Sequence, residues 1–373
     1  MERILIGYLS NHAGGVERYI LDLAGELQDE FLFDFLTSEP DLTIAPVLEA
    51  RGSKIYRIPT LWRPLRQYRA MKRIVAENSY SCVHFNISTA MMAAPVIACR
   101  HMKIKGILVH SHSSGVDRNS ALQRAIYRFL HSICKPIISR YANSFAACST
   151  EAAKWMFTRA IYRRKQYRIF PNTIDTGRFS YDPIVRMNVR KRLQIDDRFV
   201  VGHIGSFTYT KNHSFLIQIF DELRKQRDNA VLLLVGTGIL QDEIKQLVHQ
   251  KGLDDYVIFA GRQEETSEYY QAMDVFVLPS VFEGFPIVGV EAQTAGLPCF
   301  FSDSITRDVA LTRLAHFLNL SAPPSDWISA MNGLEKNTRR SYKDEVDRAG
   351  YSNQARQDQM RQYYLQYMEK VIL

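Results

Sequence analysis

An α/β protein built on two doubly wound parallel sheets is the fold that this sequence predicts, and three observations predict it. Short apolar runs recur along the 373 residues, most of them unbroken stretches of Val, Ile, Leu and Phe. Unbroken runs are expected of parallel strands covered on both faces, whereas half-exposed strands alternate. The runs alternate with helical patterns from end to end, as repeated βαβ units require. The length, with 46% hydrophobic and 23% charged residues, suits two domains that each bury a core.

Taken in order, the first half carries strand patterns at Ile4–Leu9, Phe31–Thr37, Lys54–Ile58, Cys82–Asn86, Ile107–Ser111, Ser144–Ser149 and Tyr167–Phe170. The second half carries them at Val200–Gly205, Ala230–Gly236, Val257–Gly261, Val275–Ser280 and Pro298–Ser302, with a weaker one at Phe317–Leu320. Between the two series, Pro171–Asp197 breaks the rhythm, and the interdomain link is placed at residues 176–198. The spacing therefore predicts a first Rossmann-like domain over 1–175 and a second over 176–345. The tail is polar and aromatic, with Tyr363, Tyr364 and Tyr367 at helical spacing and no strand after them. Residues 346–373 are expected to form a helix that crosses back to the first domain. Two such sheets facing each other would line a cleft with the carboxyl ends of their strands, where ligands of these folds bind.

Composition narrows the function. Cys82, Cys99, Cys134, Cys148 and Cys299 show no paired spacing, so a zinc site or disulfide scaffold is not expected and a reducing cytosol fits. The N-terminal apolar run is too short for a signal peptide, and no uncharged stretch approaches the ~20 residues of a membrane span. The formal charge of +8 is unevenly spread: residues 1–175 hold 24 Lys+Arg against 14 Asp+Glu, and the rest hold 23 against 25. The excess gathers in Arg63–Arg73 and Arg159–Arg168, where aromatic residues lie between the cations. Such segments suit an anionic membrane surface, with Trp62 and Tyr68 at the interface. Nucleic acid or a plain solvated face are the other readings of the same charge.

Four strand-end loops carry chemistry. In Asn11-His12-Ala13-Gly14-Gly15-Val16-Glu17, Gly14 and Gly15 let backbone approach a ligand, and the helix expected at Glu17–Leu27 presents free N–H groups to an anion. It is not a dinucleotide fingerprint. Val109-His110-Ser111-His112 ends a strand with two histidines on one face, suited to hydrogen bonding, to phosphate when protonated, or to a metal pair. In Gly205-Ser206-Phe207-Thr208-Tyr209-Thr210-Lys211, the lysine stands just before a helix, where the dipole is already positive. A bound polyphosphate would resolve that conflict. Lastly, Ser280–Ala292 runs from a turn holding Glu283, Gly284 and Phe285 into a helix begun by Pro286. Glu291 lies inside that apolar helix, and a buried carboxylate is costly without a partner; a ribose diol would serve.

Glu283-Gly284-Phe285-Pro286 followed by Glu291 resembles the retaining glycosyltransferases of GT-B fold, family four. The likeness extends in order over most of the chain, through Gly14-Gly15-Val16-Glu17, His110-Ser111-His112, Phe170-Pro171-Asn172, Lys211-Asn212, Gly236-Thr237-Gly238 and Gly261-Arg262. Ser302-Asp303-Ser304-Ile305-Thr306 is similar to the subgroup that builds capsular or exopolysaccharide repeat units. The resemblance implies an acceptor-side first domain and a second that binds a nucleotide diphosphate sugar, most simply a UDP-sugar. It assigns Glu291 to the ribose, Glu283 to the sugar, Lys211 to the diphosphate, Gly15 to the phosphates and Arg262 to the base. Gly14, Ser206, Gly236, Gly284, Phe285 and Pro286 complete the donor site, and His112 matches the histidine near the reacting sugar better than His110 does. The family has Arg five residues before the lysine; here that place is Ser206.

The implied reaction moves a hexose or N-acetylhexosamine to a lipid-linked saccharide with retention. It uses no cofactor and no metal, and it occurs at the inner face of the cell membrane. The rival readings are a sugar-nucleotide epimerase or hydrolase using Asp117 or Glu17, and a non-catalytic nucleotide-sugar binder, which Ser206 suggests.

Overall fold

A computed structural model of the chain describes residues 1–11, 14–118, 120–333 and 339–368. It divides into two compact units. The first comprises Met1–Val116, Ser120–Thr173 and Gln354–Leu373, and the second comprises Asp117–Asn119 and Ile174–Asn353.

Among the described residues, the first unit holds a seven-stranded sheet in the order β3-β2-β1-β4-β5-β6-β7. Its strands are β1 (Glu2–Leu9), β2 (Phe31–Thr37), β3 (Ile55–Arg57), β4 (Cys82–Ile87), β5 (Gly106–Ser111), β6 (Ser144–Ala147) and β7 (Arg168–Ile169). The second unit holds a six-stranded sheet in the order β10-β9-β8-β11-β12-β13. There the strands are β8 (Phe199–Ile204), β9 (Ala230–Val235), β10 (Val257–Gly261), β11 (Val275–Leu278), β12 (Cys299–Ser302) and β13 (Ala315–Leu318). Every pairing in both sheets is parallel. Strands β9 and β11 are buried along their whole length, which explains their unbroken apolar runs. Each sheet reverses its strand order once, between β1 and β4 and between β8 and β11. Those are the switch points at which doubly wound sheets bind ligands.

Each unit has its own core. Ile4, Ile6, Ile20, Leu23, Phe33 and Phe35 fill the first, joined by Tyr363 and Tyr364 of the last helix, Asn353–Met368. That helix is tied down by charge as well as packing. Arg356, almost wholly buried, forms a bidentate pair with Glu26, and the Gln357 side chain donates to the Glu26 carbonyl at 2.8 Å. Leu216, Ile219 and Phe220 of the helix His213–Arg224 pack with Leu232, Leu234 and Trp327 in the second core.

The stretch read as a link is not one. Within residues 176–198, the helix Pro183–Leu193 is capped by Asp182 and bolted to the second unit. Arg186 and Arg190 both reach Asp274 and the carbonyl of Ala272. The return to the first unit falls at Asn353/Gln354, where the sequence reading began it at 346. The reason is the helix Lys343–Arg348, whose Val346 is buried and whose Asp347 accepts from Thr176 at 2.7 Å. No described helix is long and apolar enough to cross a membrane.

Candidate active site

In the second unit the chemistry gathers at the β8/β11 switch. After β8 the chain makes a short 3-10 turn, Tyr209–Lys211, and Asn212 then adopts a left-handed conformation before the helix begins at His213. After β11, Val281 donates its N–H to the Thr210 carbonyl at 2.8 Å, which stitches the two loops together. Lys211 and Glu283 consequently meet: Nζ lies 2.7 Å from Oε1, and the side chains are 16% and 13% exposed. Ser280 Oγ donates to the same carboxylate oxygen at 2.8 Å. The ammonium that looked misplaced in sequence thus has a carboxylate partner.

Eight residues further on, Glu291 sits in the helix Ile287–Thr294, buried, and accepts from the Tyr270 hydroxyl at 2.7 Å. Tyr270, on the helix Ser267–Ala272, is the residue that the sequence reading missed. Its one advance signal is that a buried carboxyl group needs a donor. Phe285 turns its ring into the protein, stacked on Tyr351 at 5.1 Å, and Gly284 and Pro286 are buried beside it. Ser206 is exposed at the mouth of the β8 loop, and Arg262 is exposed one residue past β10.

Gly236 has a structural task of its own. It adopts φ +136°, donates its N–H to the Gly261 carbonyl at 2.8 Å, and a Cβ there would fall 2.2 Å from the Gly205 carbonyl oxygen. Its missing side chain lets the ends of β8 and β9 touch.

The first unit carries a second cluster. The helix Gly15–Glu26 starts two residues earlier than the sequence suggests, with Gly14 as its cap. Glu17 accepts from the Ser10 hydroxyl and lies under Gly14. His12 and Ala13 of this loop lie outside the described residues. Past β5, His112 Nε2 donates to Asn86 Oδ1 at 2.8 Å, and its ring rests on that of His110 with centroids 4.1 Å apart. Behind them runs a proton-ordered chain. The Phe170 carbonyl can only accept, so His110 Nε2 carries a proton and donates to it at 3.2 Å. His110 Nδ1 must then accept from His84 Nε2 at 3.3 Å, and His84 Nδ1 accepts from the Tyr364 hydroxyl at 2.7 Å.

Burial pushes the His112 imidazole down to about 3, with His84 and His110 also held far below their ordinary value. All three rings are neutral near pH 7, so hydrogen bonding replaces the phosphate-binding imidazolium considered from sequence. Among the described residues no group of three His, Cys, Asp or Glu side chains is arranged to hold a metal ion.

Two doubly wound parallel sheets, each reversing its strand order once, are the architecture of the GT-B fold. The structure of Anabaena Alr3699/HepE in complex with UDP-glucose is similar over 98% of this chain and 100% of that one, with TM-score 0.77 and 18% identity. The Glycosyltransferase Family 4 profile matches residues 13–178, and the Glycosyl transferases group 1 profile matches 185–316. EpsF of Bacillus subtilis (strain 168), named as a glycosyltransferase, is 30% identical over 369 residues, 95% of this chain and 94% of that protein. The GDP-mannose-dependent alpha-(1-6)-phosphatidylinositol monomannoside mannosyltransferase of Mycobacterium tuberculosis is 25% identical over 318 residues, 78% of this chain and 77% of that protein. The chain belongs to glycosyltransferase family 4.

Proposed function

We propose that the protein transfers a hexose or N-acetylhexosamine from a UDP-sugar to a lipid-linked saccharide, with retention, in the synthesis of a bacterial surface polysaccharide. The observation that carries this reading is the pair Lys211–Glu283 at the switch of the second sheet. A diphosphate entering there would draw the ammonium, and the Glu283 carboxylate would be left to accept from sugar hydroxyls. Glu291 would accept from the ribose. As the glycosidic bond to the diphosphate breaks, negative charge grows on the leaving oxygen, where Lys211 and backbone N–H groups stabilise it. The acceptor's proton passes to that leaving phosphate, so the scheme requires neither a protein base nor a divalent metal. The family resemblance assigns His112 to the reacting sugar, a role in which its ring would act as a neutral hydrogen-bonding group. HepE, in complex with UDP-glucose, supports the choice of base. LpsB of Rhizobium meliloti, a lipopolysaccharide core biosynthesis mannosyltransferase 30% identical over 152 residues, supports the choice of product class.

The test is a thermal-shift screen of UDP-glucose, UDP-N-acetylglucosamine, UDP-galactose and GDP-mannose, followed by product analysis with labelled donor and EDTA. Binding of a UDP-sugar, α-linked transfer and indifference to EDTA are expected. Free sugar would mean a hydrolase, an interconverted donor an epimerase, and binding without turnover a non-catalytic role. Transfer lost in EDTA and restored by Mg²⁺ would overturn the metal-free scheme.

A further inference from the structure

The helix Ala121–Tyr141 has its apolar face on the wrong side for a core. It is 21 residues long, all of them described, and His131 and Ile138 alone are buried. Leu122, Ile126, Phe129 and Ile133 are between 46% and 70% exposed. Their spacing of four, three and four places them on one stripe, and at 100° per residue that stripe lies about opposite His131 and Ile138. The helix also carries Arg124, Arg128, Lys135 and Arg140 and no carboxylate at all. Beside it, exposed Trp62 meets Tyr127 edge-on at 5.5 Å, and Trp62 leads into the helix Pro64–Glu77, where Leu65, Arg66, Arg69, Lys72 and Arg73 are exposed. Tyr68, assigned to the interface from sequence, is half-buried and meets His101 Nδ1 at 3.0 Å.

We infer that the outward stripe Leu122-Ile126-Phe129-Ile133, with Trp62 and Leu65, is a docking surface for an anionic lipid bilayer. It deepens, and rests on, the reading that the acceptor is lipid-linked, since such an acceptor never leaves the membrane. Exposed Leu, Ile and Phe in line, cations around them and an adjacent Trp–Tyr pair form the pattern of a helix lying in the headgroup region. Charge selects the occupant. Two copies of this chain meeting face to face would bring cation-rich surfaces together, whereas anionic lipid complements them.

The test uses the full chain, sedimented with phosphatidylglycerol/phosphatidylethanolamine vesicles and with phosphatidylcholine vesicles. The wild type should pellet with the anionic vesicles only. The double variant Phe129→Ser/Ile133→Ser, changed at exposed positions, should bind them about tenfold or more weakly with an unchanged circular dichroism spectrum. The inference falls if the wild type stays in the supernatant or if the double variant pellets as well as the wild type. It also falls if the stripe is covered by a second copy, seen as a dimer that the double variant dissociates without any vesicle binding. The UDP-glucose thermal shift is read in parallel on both proteins. Its absence would sink the donor assignment and leave the vesicle result standing.

Discussion

Glu283 and Glu291 stand eight residues apart, yet their surroundings differ, and so would the consequences of changing them. Glu283 is held by an ammonium and a hydroxyl at the edge of the unit, while Glu291 is hidden and accepts from Tyr270. Glu291→Gln keeps the shape and one acceptor for Tyr270 but removes the second acceptor oxygen that a ribose diol would use. The melting temperature should therefore move little, while UDP affinity falls about tenfold or more, the scale of one lost hydrogen bond to a carboxylate. Calorimetric titration checks it; unchanged affinity with a collapsed melting temperature would make Glu291 structural. Both carboxylates and Lys211 were legible in the sequence because each breaks a local rule: a carboxylate inside an apolar helix, a cation at a helix start. Tyr270 was not, since its bond to Glu291 joins two helices 21 residues apart. Nor was the partner of His112, because Asn86 reaches it from the end of another strand.

Elements were legible where two faces are buried and misread where one is not. Twelve of the thirteen described strands fall on the predicted runs because parallel strands advertise themselves as continuous apolar sequence, and β13 (Ala315–Leu318) starts two residues before the weak run read at Phe317–Leu320. The helix Pro183–Leu193 looked like a linker because its attachment is polar: two arginines on Asp274 and on carbonyl groups leave no apolar stripe to see. The last helix was expected to brace the first unit, and the Arg356–Glu26 pair gives that brace an energy. Burial outweighs the guanidinium and holds Glu26 above the usual carboxylate value, so the pair is under desolvation stress even when formed. Breaking a buried pair from one side costs about 3–5 kcal/mol. Arg356→Ala should thus lower the unfolding free energy of the first unit by roughly 3 kcal/mol, whereas Arg361→Ala, whose pair with Glu30 is exposed, should change it little. Urea unfolding of the two variants makes the comparison. Equal losses would remove the special status of Arg356.

On the scale of the whole molecule, acid should attack the two units unequally. His84, His110, His112 and His131 are buried in the first, and burial lowers each, His131 to about 4. His203, lowered to about 3, and His213, lower still, do the same in the second, with half-buried His316 shifted the same way. A histidine whose folded pKa lies below its unfolded value near 6.5 takes up a proton on unfolding. Its stabilisation is therefore complete above about pH 6.5 and is lost as pH falls from there toward the folded value, at up to about 1.4 kcal/mol per pH unit for each ring. The first half also holds the excess of cations, so self-repulsion grows there as carboxylates protonate. Hydrogen exchange near pH 5 should show β1–β7 losing protection before β8–β13. Simultaneous loss in both units would contradict the count.

The touching ends of β8 and β9 set a limit on how the proposed donor site can vary. At Gly236 a methyl group would collide with the Gly205 carbonyl, and at Gly238 it would stand 2.6 Å from the Phe207 backbone. Neither clash involves a side chain that could rotate away, so the restriction is one of main chain against main chain. On the proposed reading, new donor preferences are written at positions whose side chains reach open space, such as Ser206 and Arg262. The floor beneath them behaves like type metal: cast once, and indifferent to what is printed from it.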